Sequence, residues 1–299
     1  MADRVVESTE IKTGTAASGD VVFTKYDRRS LTYANSFDSP LQSTVIRSIE
    51  WLTGKITIIK LIREFERSGA PSGQPFWRAA LDVMGIPLTT PQEQIDRIPA
   101  EGPVVVVANH PHGMVDGMIL ADLIGRRRPD YKILTRAILT GIDEVAASFM
   151  IPAPFPHDPE AQAKFKTMRA DAMDLLKNGG VVSLFPSGVV ANSKTMFGPA
   201  EEAEWNVFTA QLIRRSGARV LPIFFPGGNS RWYQMANRIS ATLRQGLLLH
   251  EIVHSCNKPQ SPVVGQPLDD AQMELLHKDP RGFMVWLREH TLALGAHAK

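Results

Sequence analysis

The chain of 299 residues contains a single cysteine, Cys256. An internal disulfide framework is therefore excluded, and a lone thiol fits a reducing compartment. No uninterrupted apolar stretch approaches the roughly 20 residues that an ordinary membrane-spanning helix needs. The opening MADRVVESTEIKTGTAASGD is polar and lacks the apolar core of a secretory signal, so the cytoplasm is the expected compartment. Charge of either sign is not in excess: 33 Lys plus Arg stand against 31 Asp plus Glu, a formal net charge of +2. Net charge thus implies neither a nucleic-acid partner nor an acidic tail, and any basic surface must be local. There is no internal repeat. What is present is 43% hydrophobic residues, enough to bury a core in one large domain or in one domain with a smaller appendage.

Residues 1–40 mix Gly, Ser, Thr and charge without periodicity and read as a loosely docked arm. From Val45 the pattern changes. Val45, Ile49, Leu52, Ile56, Ile59 and Ile62 recur at three- and four-residue steps, with Arg47, Lys55, Lys60 and Arg63 on other faces. This predicts an amphipathic helix, weakened at Gly54, whose apolar face packs on a sheet or meets a membrane. A Gly/Pro-rich break at 69–75 and a short helix near FWRAALDVM complete a helical piece over 41–98.

The remainder, 99–299, alternates short β-branched runs (104–108, 131–134, 149–152, 181–185, 220–225, 262–265) with amphipathic segments. In the clearest of these, Phe165, Met168, Ala172, Leu175 and Leu176 form one stripe and Gly179 stops the helix. The expected class is α/β: a largely parallel sheet covered by helices, preceded by the N-terminal amphipathic helical segment. In such sheets chemistry sits outside the carboxyl ends of the strands, where the HPHG turn (110–113) and the FPSG turn (185–188) both fall.

In ANHPHGMVDG a histidine can take a proton near neutral pH. An aspartate bonded to its other ring nitrogen fixes the tautomer and stabilises the imidazolium, so the pair can activate a hydroxyl. A tight turn at Pro111 and Gly113 lets His110 and Asp116 meet across the helix start. His112, four residues before Asp116, is the rival base. The bland alternative is that Asp116 only caps a helix. Backbone amides after Gly113 are candidates for an oxyanion hole. LLLHEIVHS holds the zincin pattern His250-Glu251-x-x-His254, but no third ligand follows closely, and the two histidines also continue the face of Leu243 and Leu247 as packed core residues do. A barrel metallohydrolase using His110 and His112 lacks further ligands on later strands. Ser187 as a nucleophile lacks the Gly-x-Ser-x-Gly elbow. Arg126, Arg127 and Arg128 read as a helix carboxyl end, or as a patch for anionic lipid or an acidic carrier protein.

These blocks resemble the glycerolipid acyltransferases related to 1-acylglycerol-3-phosphate acyltransferase. ANHPHGMVDG is similar to their Asn-His motif with a downstream Asp, in the His-Pro-x-Gly-x-x-Asp-Gly spacing of the hemolysin-like branch. LFPSGVVANS (184–193) stands where the family has Phe-Pro-Glu-Gly-Thr-Arg, and VLPIFFPGGNSRWYQ (220–234) resembles the next strand with its Gly-x-Asn-Ser signature. Order and spacing agree over roughly residues 100–268. The resemblance implies His110 as general base and Asp116 as its orienting partner. It implies substrate contacts from Asn109, His112, Gly113, Phe185, Pro186, Ser187, Gly188, Asn229 and Ser230, with no metal and no cofactor, and Arg136 after the strand YKIL and Arg231 after GGNS are candidate substrate contacts as sources of a compensating positive charge. The donor would be an acyl-carrier protein or coenzyme A thioester. The acceptor would be a lyso-lipid at the cytoplasmic face of the inner membrane, where the enzyme is peripheral. Ser187 and Val190 replace the family's Glu and Arg, which removes the bidentate partner of a phosphate monoester. The expected acceptor is therefore a lyso-amino-acid lipid of the lyso-ornithine type, with 1-acylglycerol-3-phosphate as the alternative. A zinc hydrolase and a non-catalytic lipid-binding protein are the more distant readings.

Overall fold

The computed structural model describes residues 31–34, 39–136, 144–154 and 159–297. The arm expected over 1–40 lies largely outside them.

The helical piece comprises α1 (Pro40–Glu50), a π-helical turn (Trp51–Lys55) continuing into α2 (Ile56–Arg67), α3 (Pro75–Val83) and the short α4 (Gln92–Ile95). Then follow β1 (Val104–Ala108), α5 (Met114–Gly125), β2 (Tyr131–Arg136), α6 (Glu144–Ser148), β3 (Met150–Ala153), α7 (Ala161–Lys177) and β4 (Val181–Leu184). A small hairpin β5 (Asn192–Ser193) and β6 (Ala200–Glu201) precedes α8 (Val207–Ser216), β7 (Arg219–Phe224), α9 (Arg231–Ile239), α10 (Ala241–Gly246), α11 (Leu248–Ser255), β8 (Val263–Val264), α12 (Asp270–Lys278) and α13 (Pro280–Ala293). The main sheet has the order β3-β2-β4-β1-β7-β8, parallel except for β8, which runs antiparallel to β7. The expected α/β class is what the chain adopts.

All five residues of β1 are buried, and their alternation divides the core. Val104, Val106 and Ala108 face a cluster built from α3, α5 and α11, which Ile58 of α2 also joins. Val105 and Val107 face Met168, Ala172 and Leu176 of α7 together with residues of α8 and α13. The stripe expected on α7 is thus the one buried, and Gly179, at φ 81°, ends that helix. The chain leaves β1 for β2, two places away, and later returns to fill both sides of β1 with β4 and β7. The carboxyl end of β1 therefore opens into a crevice between two later strands, where a parallel sheet places its ligands.

Three expectations are corrected. The amphipathic helix does not keep one face: the π-turn adds a residue to one turn and rotates the helix against the three- and four-residue spacing. Leu52 and Ile56 are exposed, while Ile46, Glu50, Lys55 and Ile58 are buried. Lys55 lies 5.9 Å from the Trp51 ring centroid and is no free surface cation. Glu50 accepts from Thr32 Oγ1 and the Tyr33 amide, each at 2.7 Å. Gly54 is a crossing point rather than a weakness, because a Cβ there would stand 2.8 Å from the Leu249 carbonyl carbon and oxygen. The second correction concerns α11, which buries Leu249, Glu251, Ile252 and Ser255, so His250 and His254 are on the outer side. The third is the alternative of a basic patch at the arginine run, which does close α5 as its first reading has it. Arg126 pairs with Asp122 and Arg127 with Asp96, and buried Arg128 binds Asp130 and the Pro99, Gly102 and Gly179 carbonyls. All three arginines are committed to the fold, and none forms a free patch.

Among the described residues no helix is long and apolar enough to cross a membrane.

Candidate active site

His110 follows β1 directly, and Asp116 lies in the first turn of α5. Gly113 between them adopts φ 76°, the left-handed conformation that reverses the chain into the helix. The turn closes on the Asp116 carboxylate. Its Oδ2 accepts from His110 Nδ1 at 3.0 Å, from the His112 amide at 2.8 Å and from the Gly113 amide at 3.1 Å. Its Oδ1 accepts from His112 Nδ1 at 2.9 Å. Asp116 is fully buried, and burial alone pushes a carboxyl up. Here the charge of His112 and the hydrogen bonds of both imidazoles outweigh it and hold the carboxyl below its ordinary value.

The sequence therefore brings together not one histidine and its aspartate but two histidines on one carboxylate. With each Nδ1 committed, Nε2 is the nitrogen left on each ring to exchange a proton. The rings differ in their surroundings. The Phe185 ring is stacked on His110 with centroids 3.8 Å apart, and His110 keeps 17% of its side chain exposed. His112 is 8% exposed, and its Nε2 lies 3.1 Å from where a Cβ on Gly227 would stand. The His112 and Gly113 amides are consumed by Asp116, so an oxyanion hole at this turn must use later first-turn amides, those of Met114 and Val115.

Two flanking segments complete the crevice. Past β4, the Ala191 amide donates to the His110 carbonyl (2.8 Å), and the Asn206 amide to the Pro186 carbonyl (3.0 Å). Ser187 Oγ donates to Val189 O (2.9 Å), Gly188 is exposed, and Arg136 at the end of β2 donates to the Gly188 carbonyl (3.0 Å). Burial and the neighbouring charge of Arg244 hold the Arg136 guanidinium below its usual value. Past β7, the Asn229 amide donates to the Pro111 carbonyl (3.2 Å), and both polar atoms of the Asn229 side chain are buried without a partner. Ser230 caps α9, and Arg231 is exposed at its start. Asn109, expected at the substrate, spends its carboxamide elsewhere: it donates to Phe225 O (2.9 Å) and accepts from Phe225 N (2.7 Å), clamping β1 to β7 where they begin to part.

Two acids were not anticipated. Glu202, buried in the acidic stretch EEAEW, accepts from the His110 amide (3.0 Å) and from Trp205 Nε1 (3.0 Å). Glu251, the middle of the zincin-like pattern, accepts from the Ser230 amide and hydroxyl, both at 2.6 Å. Its carboxylate thus pins the Gly-Gly-Asn-Ser loop to α11. His250 Nδ1 lies 3.4 Å from the Thr53 carbonyl, and His254 Nε2 lies 2.9 Å from Lys258 Nζ. Among the described residues no group of three or more His, Cys, Asp or Glu is placed to hold a metal ion.

Residues 91–226 match the family described as Acyltransferase. This segment is similar to the acyltransferase domains of that family. It runs from α4 to just past β7 and so contains β1, the HPHG turn, Asp116 and the FPSG turn. The chain is also similar to the crystal structure of the 1-acyl-sn-glycerophosphate acyltransferase PlsC of Thermotoga maritima, at 14% identity over 75% of this chain and 78% of that one, with a TM-score of 0.49. No curated protein matches the chain. The family match makes acyl transfer the chain's class of activity, and the His110–Asp116 turn is the candidate catalytic centre.

Proposed function

We propose that the enzyme moves a fatty acyl group from a thioester, carried by coenzyme A or an acyl-carrier protein, to the hydroxyl of a lyso-lipid, working peripherally at the cytoplasmic face of a membrane. The observation that carries the chemistry is the 3.0 Å contact between His110 Nδ1 and the buried, ionised Asp116. In this scheme His110 Nε2 takes the acceptor's hydroxyl proton as its oxygen attacks the thioester carbonyl. Asp116 stabilises the resulting imidazolium. Collapse of the tetrahedral intermediate breaks the C–S bond, and the imidazolium returns the proton to the leaving thiolate. The thioester is a co-substrate, and the scheme calls on no cofactor.

For the acceptor, a lyso-amino-acid lipid of the lyso-ornithine type fits the residues best. The FPSG turn offers Ser187, whose hydroxyl is turned to Val189 O, and Val190 follows just past it, where a phosphate monoester would need a guanidinium. Arg136 beside Gly188 suits a single carboxylate. The second reading, 1-acylglycerol-3-phosphate, is favoured by Arg244 standing near enough to Arg136 to affect its ionisation, since two guanidiniums suit a dianion. The test supplies both acceptors at equal concentration with one donor. Higher kcat/KM on the lyso-aminolipid is expected, and higher kcat/KM on 1-acylglycerol-3-phosphate refutes the assignment.

A further inference from the structure

Resting on this acyl-lipid reading, we infer that the enzyme seats on an anionic lipid bilayer through apolar side chains of the β5–β6 hairpin and α9, at the rim of the catalytic crevice. The exposed residues are Phe197 (75%), with Met196 beside it, and Trp232 (68%) and Ile239 (63%). Both elements are fastened to the catalytic turn. The hairpin grows from the segment whose Ala191 amide binds the His110 carbonyl, and α9 follows the loop whose Asn229 amide binds the Pro111 carbonyl. The Ser193 amide donates to Gln234 Oε1 at 2.7 Å, which joins the base of the hairpin to α9. Trp232 and Ile239 are seven residues apart, two turns along one face of α9, while Tyr233, Gln234 and Ala236 point inward.

Charge identifies the partner. Arg231 and Arg238 lie on the same exposed side of α9, and neither is paired with an acid among the described residues. Aromatic and aliphatic groups flanked by free guanidiniums form the surface that enters the headgroup region of an anionic membrane. An acidic carrier protein would call for a denser cation cluster. Here four apolar groups stand beside two free cations, and Lys194 at the hairpin is already held by Glu201 at 2.6 Å. The exposed strip Leu41, Trp51, Leu52 and Ile56 belongs to the helix that packs on α10 and α11, and it serves as the comparison surface.

The full chain is sedimented with vesicles of phosphatidylcholine, with and without phosphatidylglycerol, in parallel with a Phe197→Ser/Trp232→Ser variant, Arg238→Glu and a Leu52→Ser/Ile56→Ser control. The rim variant is expected to lose at least about tenfold in vesicle affinity, on the scale of two partly buried aromatic side chains. Arg238→Glu should weaken binding only where phosphatidylglycerol is present. Turnover on a lyso-lipid below its aggregation concentration should stay within about twofold of the unmodified enzyme, because transfer between dissolved molecules does not depend on lipid insertion. The inference is overturned if the rim variant binds vesicles like the unmodified enzyme, or if it loses only capture by immobilised acyl-carrier protein. Absence of transfer by the unmodified enzyme to the dissolved acceptor would count against the acyl-transfer reading alone and would leave the vesicle result standing.

Discussion

Replacing Asp116 by asparagine separates the two histidines that share it. Oδ2 accepts from the His112 and Gly113 amides at 2.8 and 3.1 Å, so the asparagine must keep its carbonyl oxygen there, where it still accepts from His110 Nδ1. Its NH2 then falls at the Oδ1 position, facing His112 Nδ1. His110 retains its tautomer and loses only the negative charge. A charge pair about 4 Å apart at an effective dielectric near 20 is worth about 4 kcal/mol. With the proton about half transferred in the transition state, about 2 kcal/mol of this is lost, and exchanging a charged for a neutral acceptor removes about 1 kcal/mol more. Turnover should fall about a hundredfold, measured as free thiol released from the acyl thioester. If His112 were the base, the opposing NH2 would reverse its tautomer, and the loss would approach about 10⁴-fold. A loss below about tenfold would show that neither imidazole depends on the carboxylate and would refute the reasoning.

Gly54→Ala drives a Cβ to 2.8 Å from the Leu249 carbonyl and should lower the unfolding free energy by about 2 kcal/mol despite alanine's helix preference, read from the urea midpoint. Glu251→Ala strands the Ser230 amide and hydroxyl and should cost about 3 kcal/mol, whereas Glu251→Gln, which keeps an acceptor, should cost about 1 kcal/mol. Treatment with a zinc chelator should leave turnover unchanged, and inactivation that added zinc reverses would restore the zincin reading. The Asp116 carboxyl is held below its ordinary value of 3.8, so its contribution to stability is complete above the ordinary carboxylate range and disappears as pH falls through the lowered value. Thermal scans below about pH 4 should show a destabilisation that Asp116→Asn lacks.

Much of the architecture was legible because it rests on local chemistry. Four consecutive valines before a His-Pro-His-Gly turn state a buried strand and a sharp exit, and the α7 stripe with Gly179 states a helix and its end. The His110–Asp116 pair was legible because both partners belong to one turn. Contacts across the chain were not. Glu202 sits in an acidic run that looks solvated, and only the packing of the segment past β4 carries it to the His110 amide. Glu251 lies inside a metal-like pattern whose real partner, Ser230, is 21 residues away. Asn109 reads as a motif residue at the substrate, yet its partner is the backbone of β7's extension, 116 residues on. The π-turn at Trp51–Lys55 has no periodic signature, because it is the close approach of Leu249 to Gly54, not a local preference, that accompanies the change of face.

Because His110 and His112 hold the same carboxylate at nearly equal distances, geometry at Asp116 does not by itself rank them. The ranking rests on the greater exposure of His110 and on the Phe185 ring stacked against it. Steady-state turnover of His110→Ala and His112→Ala, compared on one donor and one lyso-lipid with both variants shown to be folded, tests this directly. His110→Ala should fall by at least about a hundredfold, the scale of a lost general base, and His112→Ala by clearly less. An inactive His112→Ala beside a His110→Ala near full activity would contradict it.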